Sequence, residues 1–305
     1  MILHNEKLLF EKYVSLVSQK EAIDEAIIVK DYYITLALKL TYQLSPNIVF
    51  VGGTSLSKAF NLINRFSEDI DLVITGEKRK GKQKKALKFV QAILNLWGGT
   101  PLVSQSSTKD FLEVYLFYKY RNLDKNESRI KLEVLTFTNP FPVKEVYIES
   151  ILNSYLNHAD IKKYEMNPII VKAQAPYRTF LEKVLLQKEH YKKSITDQIK
   201  LFESENRARD FYDIHKIWLF YNRRLPIELE TLHTMINSRF QHRINRTKVS
   251  YSEFNQYPLI NIYEVFNIRH QLEYKDYYRL SIRDLDTIAI AKSLIEIDAF
   301  FNHTL

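Results

Sequence analysis

The chain has 305 residues, 46% of them hydrophobic, a net charge of +8 and no cysteine. That length and composition describe an ordinary globular protein with room for two domains. They exclude disulfides and thiolate metal sites and agree with a reducing cytoplasm.

Residues 7 to 44 read as two helical segments that end near Pro46. The first residues carry no signal-peptide pattern. Apolar stretches throughout are broken by Lys, Asp or Tyr, so no membrane span is expected. Asn47-Ile48-Val49-Phe50-Val51 reads as a short buried strand, and Thr54 to Phe60 as a helix start with a hydroxyl residue near its N-cap. Between them stands Gly52-Gly53, one of the few glycine pairs in a chain with six glycines. Strand, Gly-Gly, helix gathers free N–H groups and a positive dipole end, which suits an anion. An ordinary strand-to-helix turn is the competing reading.

Asp69-Ile70-Asp71-Leu72-Val73-Ile74 predicts a strand. Period-2 alternation sends Ile70, Leu72 and Ile74 to one face and Asp69, Asp71 and Val73 to the other. Two carboxylates so close repel unless a cation lies between them. A hard divalent ion takes such oxygen ligands and leaves positions for substrate phosphates. A solvated edge strand is the bland alternative.

Lys78-Arg79-Lys80-Gly81-Lys82-Gln83-Lys84-Lys85 reads as a basic loop, suited to a polyanion such as RNA or simply solvated. A helix over 83 to 97 closes at Gly98-Gly99. Strands follow near 111 to 120 and 129 to 137, with a hairpin tip from Arg121 to Ser128. Ile130, Leu132 and Val134 share one face of the second strand, which places Glu133 on the other. Glu is disfavoured mid-strand. Two readings of Glu133 stand at this level: a third carboxylate beside the Asp strand, or an ion-pair partner of a nearby Lys. A strand near Pro168 to Lys172 is expected to close the sheet.

From Pro176 onward helical periodicity dominates. Phe180, Val184 and Leu185 form an apolar stripe with Lys183 off it. Phe211, Ile214, Ile217 and Trp218 form the next stripe, and Asp210 and Asp213 share an i, i+3 face. Arg239, His242, Arg243, Arg246 and Lys248 lie among Phe240 and Tyr251, a mixture able to stack on unpaired bases. His215, His233 and His242 lack zinc spacing and read as core or surface histidines. The fold expected is α+β: a mixed sheet with flanking helices over 1–175, then a helical bundle over 176–305. The active site is expected in the cleft between them.

The string Gly-Gly-Thr-Ser…Arg-Phe-Ser-Glu-Asp-Ile-Asp-Leu resembles the signature of the AbiEii/AbiGii toxin-like nucleotidyltransferases, members of the DNA polymerase β-like superfamily. Arg178 to Leu185 resembles that family's helical Lys motif, and Arg207-Ala208-Arg209-Asp210-Phe211-Tyr212-Asp213 its later Arg/Asp motif. The matches run in order across residues 51 to 214. The resemblance implies that Asp69 and Asp71 hold Mg2+ or Mn2+, with Glu133 the least secure ligand. It implies that Gly52, Gly53, Thr54 and Ser55, with Lys58 in the same stretch, cradle the triphosphate. Arg65 and Lys183 would meet phosphate, and Asp210 would belong to the active site with Asp213 as a structural neighbour.

The implied activity is transfer of a nucleoside monophosphate from an NTP to an acceptor, foremost a tRNA end. The setting would be a bacterial cytoplasmic toxin–antitoxin or phage-abortive-infection system with an antitoxin protein as partner. Nucleotidylation of a protein or an antibiotic is the alternative, and a non-catalytic binding module the third reading. No G-x-x-x-x-G-K-[ST] loop is present, which argues against an ordinary ATPase. No Cys or G-x-S-x-G offers a covalent nucleophile.

Overall fold

The computed structural model describes residues 2–75, 79–97, 111–121, 123, 128–136, 138–197, 208–242, 248–276, 282 and 284–304. The chain divides into two compact units: residues Met1–Asn61 with Phe66–Ala175, and residues Leu62–Arg65 with Pro176–Leu305.

The first unit is a six-stranded mixed sheet with helices. In chain order it holds α1 (Lys7–Glu21), α2 (Glu25–Leu44), β1 (Ile48–Val51), α3 (Gly52–Lys58), β2 (Asp69–Ile74), α4 (Arg79–Trp97), β3 (Phe111–Phe117), β4 (Arg129–Leu135), β5 (Val143–Ile148), α5 (His158–Lys163) and β6 (Ile169–Gln174). The strand order is β3-β4-β2-β1-β6-β5. β2 runs antiparallel to β1 and parallel to β4, and β1 runs parallel to β6. The outer pairs β3–β4 and β5–β6 are antiparallel.

Each helix forms where its apolar positions repeat on one side. In α1, Phe10, Val14 and Val17 are the buried stripe. Asp24 caps α2 by accepting from the Ala26 N–H at 2.7 Å. Phe10 and Tyr32 then meet with ring centroids 4.8 Å apart. One sheet face packs on this layer through Phe50, Ile70, Leu72, Ile130, Leu132, Val134 and Val171. Phe50 is fully buried there, and its truncation to Ala would cost about 3–5 kcal/mol. On the opposite face Val49, Val51 and Val73 form a small apolar patch with Leu135 and Val143.

Two expectations change. The basic run is the start of a helix: α4 begins at Arg79, and its buried positions Ala86, Phe89, Val90, Ile93 and Leu94 follow a helical period that carries the charged turns with them. The strand near 168 spans Ile169–Gln174 and sits inside the sheet, while β5 is the closing edge. β5 was not legible because an edge strand keeps little alternation; Lys144, Glu145 and Tyr147 are exposed. Lys78, Gly98, Gly99 and residues 124–127 lie outside the described residues.

The second unit is a helical bundle: α6 (Pro176–Asp197), α7 (Ala208–Phe220), α8 (Leu229–His242), α9 (Leu259–Val265), α10 (Ile268–His270) and α11 (Thr287–Thr304). α7 packs on α6 and α11, and α9 on α6 and α11. Phe180, Trp218, Phe254 and Phe301 build its aromatic core, with Phe254 and Phe301 centroids 4.8 Å apart. Among the described residues no helix is long and apolar enough to cross a membrane.

Candidate active site

The acidic face is built by the alternation of β2. Ile70 and Leu72 are fully buried on the helix side, which turns Asp69 and Asp71 to the other face. Asp71 has Val51 as its Cα partner on β1 and Glu133 as its partner on β4. Glu133 is in turn opposite Glu113 on β3. One row across the sheet thus reads Val51, Asp71, Glu133, Glu113.

Gly52 follows Val51 directly and opens α3. Its φ is +78°, and a Cβ there would fall 2.1 Å from Asp71 Oδ2. Glycine is required here twice over, for the backbone conformation and for the space the Asp71 carboxylate uses. Thr54 ties α3 to the strand entrance: its hydroxyl bridges Ser67 Oγ at 2.9 Å and the carbonyl of Asp69. Glu68, between them, pairs with Lys30 of α2. Ser55 is buried and donates to the Gly52 carbonyl at 2.8 Å. Lys58 lies against Asp31 and donates to the Glu149 carbonyl at 2.9 Å. Lys58 and the Ser55 hydroxyl therefore have protein partners in this structure.

Glu133 is paired with Lys131, which also lies 3.3 Å from Glu113. Burial works against the Lys131 charge. The hydrogen bond and charge of Glu133, followed by Asp69 and Glu113, outweigh it and place its pKa above the ordinary lysine value. The two readings of Glu133 therefore meet in one residue: it stands beside Asp71 and it is ion-paired.

The acceptor-only carboxylates of Asp69 and Asp71, sharing a face, with Asp71 seated in the space Gly52 leaves, fit a hard divalent cation. Among the described residues no group of three or more His, Asp or Glu is arranged to hold a metal ion.

The second unit has its own charged centre. Arg65, in the 62–65 segment of that unit, is buried and forks onto Asp213 through Nε and Nη2, each at 2.6 Å. Lys183 pairs with Asp210 and lies 3.0 Å from Asp213. Gln187 donates to the other Asp210 oxygen at 2.9 Å. Tyr212, the residue before Asp213, accepts from the Asn64 N–H at 3.0 Å. Burial opposes the charges of Arg65, Lys183 and Asp213. Arg65 and Lys183 nevertheless hold Asp213 below the usual carboxylate range, while Asp210 and Asp213 raise Lys183. The Lys off the apolar stripe of α6 is therefore half-buried and ion-paired, where a solvated surface Lys is the usual outcome.

A family model described as nucleotidyl transferase AbiEii toxin, type IV toxin–antitoxin system, matches residues 38–301. The chain belongs to the AbiEii family. No curated protein matches the chain. Among solved structures, JHP933 from Helicobacter pylori is similar at 14% identity and TM-score 0.45, covering 91% of each chain. An antigenic nucleotidyltransferase-like protein from Paracoccidioides brasiliensis is similar at 16% identity and TM-score 0.39, covering 75% of this chain and 95% of that one.

In this AbiEii chain the structure brings Gly52, Thr54, Asp69, Asp71 and Glu133 together in the first unit, and Arg65, Lys183 and Asp210 in the second. Arg207, Arg243 and Arg246, with the side chains of Arg239, Phe240 and His242, lie outside the described residues. Lys248 is paired with Glu189, and His215 with Ser293 Oγ at 2.8 Å. Sequence reasoning passed over Glu113, and it placed Lys131 on the face of Glu133 without giving it a role. The signal for Glu113 was present, since Leu112, Val114 and Leu116 alternate around it and are buried. The signal for Lys131 was its place two residues from Glu133 on the same face.

Proposed function

We propose that this AbiEii-family chain is a divalent-metal-dependent nucleotidyltransferase. It transfers a nucleoside monophosphate from an NTP to an RNA hydroxyl, foremost a tRNA end, in the bacterial cytoplasm. It does so as the toxin of a toxin–antitoxin or phage-abortive-infection pair, with an antitoxin protein as its partner. The observation that carries this reading is the Asp69/Asp71 pair on one face of β2 with Asp71 seated against Gly52.

Asp69 and Asp71 would hold Mg2+ or Mn2+. When bound, such an ion neutralises triphosphate charge at the reacting centre. The chain's own groups do the positioning. Thr54 fixes the backbone of Asp69, and Gly52 gives the Asp71 carboxylate its place. The backbone at Gly52 and Gly53 takes the phosphate chain. The acceptor oxygen bonds to the α-phosphorus as the bond to pyrophosphate breaks, and the acceptor proton passes to a carboxylate of this face. Orientation and charge supply the rate, so no covalent nucleophile is required. Lys183 and Asp210 remain active-site groups in the proposal on the strength of the motif order.

The test is incubation of the purified chain with each labelled NTP, Mg2+ and total bacterial RNA, with Asp69→Asn and Asp71→Asn as controls. Label on a tRNA-sized band that both variants lose supports the reading and names the nucleotide. Label on protein moves the acceptor to the alternative class. No NTP binding by the folded chain overturns the catalytic reading.

A further inference from the structure

Asp71, Glu133 and Glu113 are successive Cα partners on β2, β4 and β3, so three acids share one row. Among the described residues, Lys131 is a cation placed against this row. Lys131 pairs with Glu133, lies 3.3 Å from Glu113, and has Asp69 as its own Cα partner on β2. An ammonium in that place does two things. It uses the Glu133 oxygen that a second metal ion would need, and it repels a second cation from the row.

We propose that Lys131 supplies the second positive charge of this site, so that the Asp69/Asp71 pair takes one divalent ion and Glu133 ligates none. This rests on the reading of Asp69 and Asp71 as metal ligands. It extends that reading to the ion count and assigns Lys131 a positioning role.

The test is a Mn2+ titration of the full chain, followed by the EPR amplitude of free Mn2+. The wild type is expected to bind one ion per chain and to lose it in Asp69→Asn/Asp71→Asn. Lys131→Met is expected to take up a second ion, while Lys131→Arg stays at one. Two ions in the wild type overturn the proposal, as does a single ion in a Lys131→Met variant folded like wild type by circular dichroism. Should Lys131→Met fail to fold, the wild-type count still decides, one ion supporting and two overturning. No Mn2+ on the folded wild type overturns the metal reading itself and this inference with it. One ion in both wild type and Lys131→Met leaves that reading standing and removes only the role of Lys131.

Discussion

The backbone of Gly52 lies so close to Asp71 that a Cβ at position 52 would sit 2.1 Å from Asp71 Oδ2. Nothing at position 52 but glycine leaves the carboxylate where it is. Gly52→Ala is expected to displace Asp71 and to cut nucleotide transfer by about 100-fold or more, since misplacement by an ångström costs that much. The φ of +78° adds about 1–2 kcal/mol of destabilisation. A variant with wild-type activity in a labelled-NTP assay would show that the Asp71 position is not needed.

Thr54 holds the entrance of β2 from the other side. Thr54→Val keeps the shape but removes the hydroxyl that bridges Ser67 and the Asp69 carbonyl. The carbonyl left without its donor should cost about 1–3 kcal/mol. Thr54→Ser should retain most of the stability. Thermal melts of the two variants check this, and equal melting temperatures would remove Thr54 from the framework.

Asp213 is the centre of the buried cluster in the second unit, with side chains of Arg65 and Asp213 only 1% and 0% exposed. Asp213→Asn leaves the Arg65 guanidinium buried and under-compensated, with an expected loss of about 3–5 kcal/mol in urea unfolding. A depressed carboxylate pKa contributes stability above the unfolded value of 3.8, and that contribution is lost as pH falls through the folded pKa. The variant should therefore lose less on acidification than the wild type. Parallel acid curves would rule out this account.

Much of the fold could be read from local pattern. The alternation in Asp69–Ile74 and Arg129–Leu135 places Leu72 and Val134 in the core without any knowledge of partners. The stripes of α1, α2 and α6 are legible for the same reason. What could not be read was pairing at a distance. Lys183 finds Asp210 27 residues away, and Arg65 finds Asp213 148 residues away. Spacing within a helix carries no sign of either. The start of α4 failed for another reason: a run of lysines with Gly81 looks like a loop, and only the burial of Ala86 and Phe89 reveals the helix.

Lys188 illustrates a buried charge with a measurable consequence. It is 1% exposed on α6, donates to the Tyr257 carbonyl at 2.6 Å and lies over the Phe254 ring. Burial pushes its pKa down to about 8, with Asp298 pulling the other way. Between about 8 and 10.5 the unfolded chain binds a proton that the folded chain does not, so stability rises with pH across that window. The slope from this group is at most ~1.4 kcal/mol per pH unit. Urea unfolding at pH 8.0 to 9.5 should show this rise in the wild type and a flatter line in Lys188→Met. Identical slopes would refute it.

The second unit is not a continuous stretch of chain, because residues 62–65 are counted with it. During synthesis Arg65 leaves the ribosome 148 residues before Asp213, an interval of roughly 7–30 s at bacterial elongation rates. Through that time its guanidinium has no fork to close on. A product ending before α7 lacks the carboxylate that seats Arg65. Ribosome progress thus sets when the Arg65 fork can close: only once α7 has been translated.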